Sequence, residues 1–137
     1  MKKGRLLNSE IISTLSRMGH TDQITVGDAG LPIPDHVSRI DIALMKGLPS
    51  FLDTVKLLNH EMVIEKIILA EEIKSQNPLV HEVLLEYFHG IPVEYFSHES
   101  FKDLTHASKA VIRTGECTPY ANIILQSGVD FTGDSHE

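Results

Sequence analysis

The sequence predicts an α/β domain, a three-layer sandwich of Rossmann-like type with helices on both faces of a mostly parallel or mixed sheet. Short β-branched segments alternate with stretches of helical period along nearly the whole chain. Gly, Pro and Asn punctuate the joints between them. The 137 residues suit one domain, which at this size buries roughly two-thirds of its unfolded surface. The expected layout is therefore a single domain over residues 1–131 and a polar, frayed tail over residues 132–137.

Each element has its own warrant. Residues 8–18 read as a helix, with Leu7, Ile11, Leu15 and Met18 on one stripe, Asn8 as N-cap and Gly19 as stop. Residues 23–27 and 39–43 are short, β-branched and separated by a loop holding Gly30, Pro32 and Pro34, which makes them strands. Residues 49–59 form a second helix with Leu52, Val55 and Leu58 inward, and residues 62–70 a long strand. Asn77-Pro78 opens a helix that runs to about Phe88, with Val80, Leu84 and Tyr87 on one face, and Gly90 ends it. A strand over residues 92–96 and a short helix over residues 99–107 follow. Residues 110–113 and 122–125 close the domain as two strands around a turn at 115–120.

Composition removes several classes of function. The formal net charge of −7 argues against a phosphate backbone as partner, because such binding needs clustered Lys and Arg. An uncharged or cationic small ligand fits better. No apolar run approaches the ~20 residues of a membrane helix, and the residues after Met1-Lys2-Lys3-Gly4-Arg5 do not form a signal-peptide core. With Cys117 as the single cysteine, the expectation is a soluble cytoplasmic protein. Eight histidines invite a metal, yet no two lie three or four apart on one helix, so no metal is expected. The glycines of Gly27-Asp28-Ala29-Gly30 match neither a dinucleotide fingerprint nor a P-loop.

Polar, chemically capable residues gather in two clusters, 19–34 and 113–122, at the ends of predicted elements. His20, just past the first helix, is the leading candidate for acid–base work, since an imidazole gives and takes protons near neutrality. The alternative is that it caps the carbonyls of that helix. Asp28 stands at the carboxyl end of a strand, where open α/β sheets bind ligands; as a turn residue it would instead accept backbone N–H bonds. His98 follows another strand end, or is simply a residue of a helix's first turn. The Tyr120 ring and the Asn122 amide suit a sugar, one offering a flat apolar face with a hydroxyl and the other a paired donor and acceptor. Both would equally serve packing and turn stability. Cys117 is more simply a packed thiol than a nucleophile.

The runs Gly19-His20-Thr21-Asp22, Asp28-Ala29-Gly30-Leu31-Pro32-Ile33-Pro34, Ser97-His98-Glu99-Ser100-Phe101-Lys102 and Arg113-Thr114-Gly115-Glu116-Cys117-Thr118-Pro119-Tyr120-Ala121-Asn122 stand in one register. Together they resemble the ribose pyranase and fucose mutarotase family, on its D-ribose pyranase side, over about residues 1–131. The fucose mutarotases share the Gly-His and Tyr-x-Asn elements but usually replace the Gly-Leu-Pro-Ile-Pro part. The resemblance implies cofactor-free interconversion of the pyranose and furanose forms of D-ribose, which supplies the sugar to a kinase. It implies a homo-oligomer, a decameric ring with the site at a subunit boundary. It also implies His20 as proton donor, Asp28 and His98 as sugar-binding residues, Tyr120, Ala121 and Asn122 as the closing ligand segment, and Lys102 as a looser match. A mutarotase for fucose or another monosaccharide, or a non-enzymatic sugar-binding subunit, are the alternatives.

Overall fold

A computed structural model describes residues 1–131; the expected tail at 132–137 lies outside the described residues. The chain runs α1 (Ser9–Arg17), β1 (Gln23–Gly27), β2 (Ser38–Asp41), α2 (Phe51–Glu61), β3 (Ile64–Ala70), α3 (Ile73–Gln76), α4 (Pro78–Tyr87), β4 (Val93–Phe96), α5 (His98–Leu104), a 3₁₀ turn (Thr105–Ala107), β5 (Ala110–Arg113) and β6 (Ile123–Ser127). The six strands form one sheet in the order β2-β5-β1-β6-β3-β4. Neighbours are parallel except for β6, which runs antiparallel to both β1 and β3. The sheet is mixed, as the α/β reading allowed.

Period-two alternation divides the strands between two cores. Ile24, Val26, Ile67, Leu69, Ile112, Ile123 and Leu125 face one way, against Ile11 of α1, Phe51, Val55 and Leu58 of α2, and Val80 and Leu84 of α4. Ile68, Ala70, Val111 and Ile124 face the other way, against Phe101 of α5 and against Leu31 and Val37 of the loop after β1. Strands apolar on both faces require cover on both, so the domain has three layers, with α5 and the proline-rich loop as the thinner one.

Local signals hold where expected. The Asn8 side chain accepts the Ile11 N–H at 2.9 Å and caps α1. Asn8→Ala is expected to cost about 1 kcal/mol and to lower Tm by about 3–6 °C, read by thermal denaturation. Leu7 departs from its predicted stripe: it is 60% exposed, and Leu6, at 5%, takes the core position. The extended backbone at Asn8 breaks the helical period before residue 7 is reached. The short helix α3 had no counterpart in the sequence reading.

The pairing of β6 decides where the site forms. Residues 110–113 and 122–125 suggested two strands around a turn, yet β5 and β6 are not neighbours, because β1 lies between them. Residues 114–122 are too long for a tight hairpin and instead cross over the carboxyl end of β1. Thr114 Oγ1 donates to Gly27 O at 2.7 Å, and the Ala29 N–H donates to Glu116 O at 2.8 Å, pinning the crossing to the start of the β1 loop. The late polar cluster is thereby laid across Asp28.

Candidate active site

Asp28, His98, Tyr120 and Asn122 converge at this rim. Asn122 is fully buried, and its Oδ1 accepts the Asp28 backbone N–H at 2.9 Å. The Asp28 carboxylate closes an Asx turn, with Oδ1 accepting the Gly30 N–H at 2.9 Å. Burial raises the Asp28 carboxyl above its usual range, against the Gly30 N–H, the Asn122 amide, the Leu31 N–H and His98, which favour the charged form. The turn reading holds, and because it leaves the carboxylate beside His98 at the strand end it does not exclude the ligand reading.

His98 is the first residue of α5. Its backbone N–H donates to both carboxylate oxygens of Glu72 at 3.0 Å, and Ser97 caps the helix by accepting the Ser100 N–H. The imidazole meets the Tyr120 ring edge-on, with centroids 5.1 Å apart, and stacks over Phe101 at 6.4 Å. Ala121 is fully buried beneath this segment. Lys102, one turn along α5, pairs with Glu99 at 2.9 Å.

Two buried side-chain polar atoms among the described residues have no hydrogen-bond partner, and both belong to this cluster: His98 Nδ1 and Asn122 Nδ2. A buried amide or imidazole nitrogen left unpaired costs about 1–3 kcal/mol, a cost native proteins retain at functional sites. Nδ2 is a donor, whereas the role of Nδ1 follows the tautomer.

His20 is elsewhere. It precedes β1, whereas Asp28 follows it, and five strand residues at about 3.3 Å each put ~16 Å of sheet between them. The imidazole is 56% exposed, and its Nε2 lies 3.0 Å from Glu65 Oε2. It is held in a turn in which the Gly19 N–H donates to Asp22 Oδ2 and the Thr21 N–H to Ser127 O. It does not cap the α1 carbonyls: the backbone N–H of Met18 takes that role, donating to Leu15 O. Among the described residues the two non-glycine positions with positive φ are Thr21 (72°) and Tyr120 (56°), one in each cluster. Strained backbone of this kind concentrates at functional sites. Sequence reasoning missed Glu65, which is 45 residues from His20 and has no local motif.

A mixed α/β sheet thus brings a carboxylate, an imidazole, an aromatic ring and a buried amide together at its strand ends. The chain belongs to the RbsD / FucU transport protein family, whose model matches residues 1–130. It is 52% identical over 132 residues to the D-ribose pyranase of Geobacillus thermodenitrificans, covering 96% of this chain and 100% of that one. It is 54% identical over 139 residues to the D-ribose pyranase of Vibrio parahaemolyticus, with the same coverages. The structure of Bacillus subtilis RbsD complexed with D-ribose superposes with a TM-score of 0.93 at 53% identity, over 96% of this chain and all of that one. The Streptococcus pneumoniae fucose mutarotase in complex with L-fucose shares the fold, with a TM-score of 0.70 at 22% identity over 90% of this chain and 94% of that one.

Proposed function

We propose that this chain is an isomerase that interconverts the pyranose and furanose forms of D-ribose by acid–base ring opening and closure. The observation that carries the reading is the pair of buried nitrogens left without partners, His98 Nδ1 and Asn122 Nδ2, beside the Asp28 carboxylate. Support for ribose over fucose comes from relatives: those above half identity over nearly the whole chain are D-ribose pyranases.

The chemistry requires two proton transfers. Protonation of the ring oxygen O5 and loss of the proton on the anomeric hydroxyl break the C1–O5 bond and give the open aldehyde. The C4 hydroxyl then adds to C1, returning one proton to the carbonyl oxygen and releasing its own. His20 supplies the proton to the ring oxygen, Asp28 and His98 hold sugar hydroxyls, and Tyr120 and Asn122 close over the ring. A sheet's length separates His20 from the others within one chain, so in this reading the catalytic imidazole enters the site from a neighbouring copy. A homo-oligomeric ring with sites at its subunit boundaries meets that need, and the exposed Leu44, Met45 and Leu48 offer apolar surface for such contacts. The reading also places the protein in the cytoplasm, delivering furanose to a kinase; among the described residues no helix is long and apolar enough to cross a membrane.

Mixed assemblies test the shared site. His20→Ala and Asp28→Asn subunits, each strongly impaired alone at ribose concentrations near the wild-type KM, are expected to regain about a quarter of wild-type activity when refolded together in equal amounts, the chance that a boundary joins two intact halves. Ribose exchange is the readout. No recovery in assemblies that contain both subunits would place His20 and Asp28 in one chain's site.

A further inference from the structure

We propose that Glu65 is the positioning residue for His20, fixing its imidazole so that Nε2–H points at the carboxylate and Nδ1 is the nitrogen turned to the sugar. This rests on the assignment of His20 as the proton donor.

The first support is a directed chain of hydrogen bonds. Gln23 Nε2 donates to Gln126 Oε1 at 2.9 Å, Gln126 Nε2 donates to Glu65 Oε1 at 3.0 Å, and Glu65 Oε2 lies 3.0 Å from His20 Nε2. An ionised carboxylate only accepts, so the last bond is a donation from Nε2–H, and Nδ1 is the nitrogen that carries the transferable proton in the imidazolium and holds the lone pair once that proton has gone to the ring oxygen. Hydrogen bonds from Gln126 and His20 hold the Glu65 carboxyl below its usual range, which keeps it the acceptor this arrangement needs.

The second support is the backbone beneath it. In the β3–β6 ladder Ile64 pairs with Ser127 and Lys66 with Gln126, so two steps on β3 oppose one on β6 and Glu65 is the extra residue of a bulge. Bulges re-aim a side chain and are over-represented beside active sites. Gly128 closes against this bulge: a Cβ there would stand 3.2 Å from both Glu65 Cβ and Val63 Cγ1. The same turn of chain, through Ser127 O, receives the Thr21 N–H and so anchors the strained loop that carries His20. Bulge, glutamine pair and His20 turn all converge on one carboxylate. A surface ion pair formed by chance has no such scaffold.

The test uses the intact protein with Glu65→Gln and Glu65→Ala, measuring D-ribose exchange, Tm and assembly state. Both variants are expected to lose about 10- to 100-fold in kcat, part of the ~10²–10⁴-fold a positioned acid–base group supplies, with KM changed less than about threefold. In mixed assemblies either variant should be rescued by Asp28→Asn subunits but not by His20→Ala subunits, since Glu65 and His20 share one half-site. In ¹⁵N-histidine spectra of the wild type, ribose should move the Nδ1 resonance of His20 further than Nε2. Unchanged kcat in both variants, a loss confined to KM, rescue by His20→Ala subunits, or a larger movement at Nε2 would each overturn the proposal. Wild-type protein that fails to accelerate ribose exchange would instead overturn the assignment on which it rests.

Discussion

His20→Ala is expected to lower kcat for ribose ring interconversion by about 10²–10⁴-fold, the range that one positioned acid–base group contributes. The fold should be unaffected. The side chain is 56% exposed and its hydrogen bond goes to a carboxylate that is itself partly exposed, and substitutions at such positions usually change stability by less than about 0.5 kcal/mol. Ribose binding should also persist, because Asp28, His98, Tyr120 and Asn122 stand at the opposite end of the sheet and do not depend on this residue for their positions. Separate measurements of exchange rate, Tm and ribose affinity check the three parts. A variant with wild-type kcat contradicts the assignment of the proton donor. One that fails to fold contradicts the surface placement.

Asp28→Asn separates stability from function in the opposite direction. Asparagine keeps an oxygen to accept the Gly30 N–H, and the bond from the backbone N–H of residue 28 to Asn122 Oδ1 does not involve the substituted side chain, so the turn survives. Loss of a charged acceptor for sugar hydroxyls should weaken ribose binding by about 10- to 100-fold, the range for hydrogen bonds to charged groups. Stability should rise near neutral pH. Burial, the largest influence on Asp28, raises its folded pKa above the unfolded value, so the folded state binds more protons between the two. The contribution of Asp28 to stability is then full below the unfolded pKa and is lost as pH rises through the folded one. The Tm advantage of the variant should therefore be absent at low pH and open above the ordinary carboxylate range. Undiminished ribose affinity, or a variant less stable than wild type at pH 7, would contradict this account.

The sequence carried the elements and one half of the site, for different physical reasons. Caps and stops are local: Asn8 reaches three residues along the chain, Ser97 does the same for α5, and Gly90 takes a φ of 83°. Strand segments such as 23–27 and 110–113 were legible because β-branched runs bounded by turn residues have few other uses. Pairing is not local. No property of residues 122–127 states that they insert between β1 and β3, and the convergence of Asn122 on Asp28 follows from that insertion. The motifs placed Asp28, His98 and Tyr120 at element ends, which is where the structure has them. Glu65 was invisible because its role comes from a bulge, and a bulge is a property of two strands in register. The separation of His20 from Asp28 was hidden for a simpler reason: eight residues apart in sequence, they are held at opposite ends of one strand.

The central claim is catalysis of ribose ring interconversion, and saturation transfer between the pyranose and furanose anomeric NMR signals of D-ribose tests it most directly, with L-fucose in a parallel sample and His20→Ala as control. Faster exchange for ribose than for fucose, lost in the variant, is the predicted result. Exchange at the spontaneous rate despite detectable ribose binding would leave a sugar-binding protein and contradict the enzymatic reading.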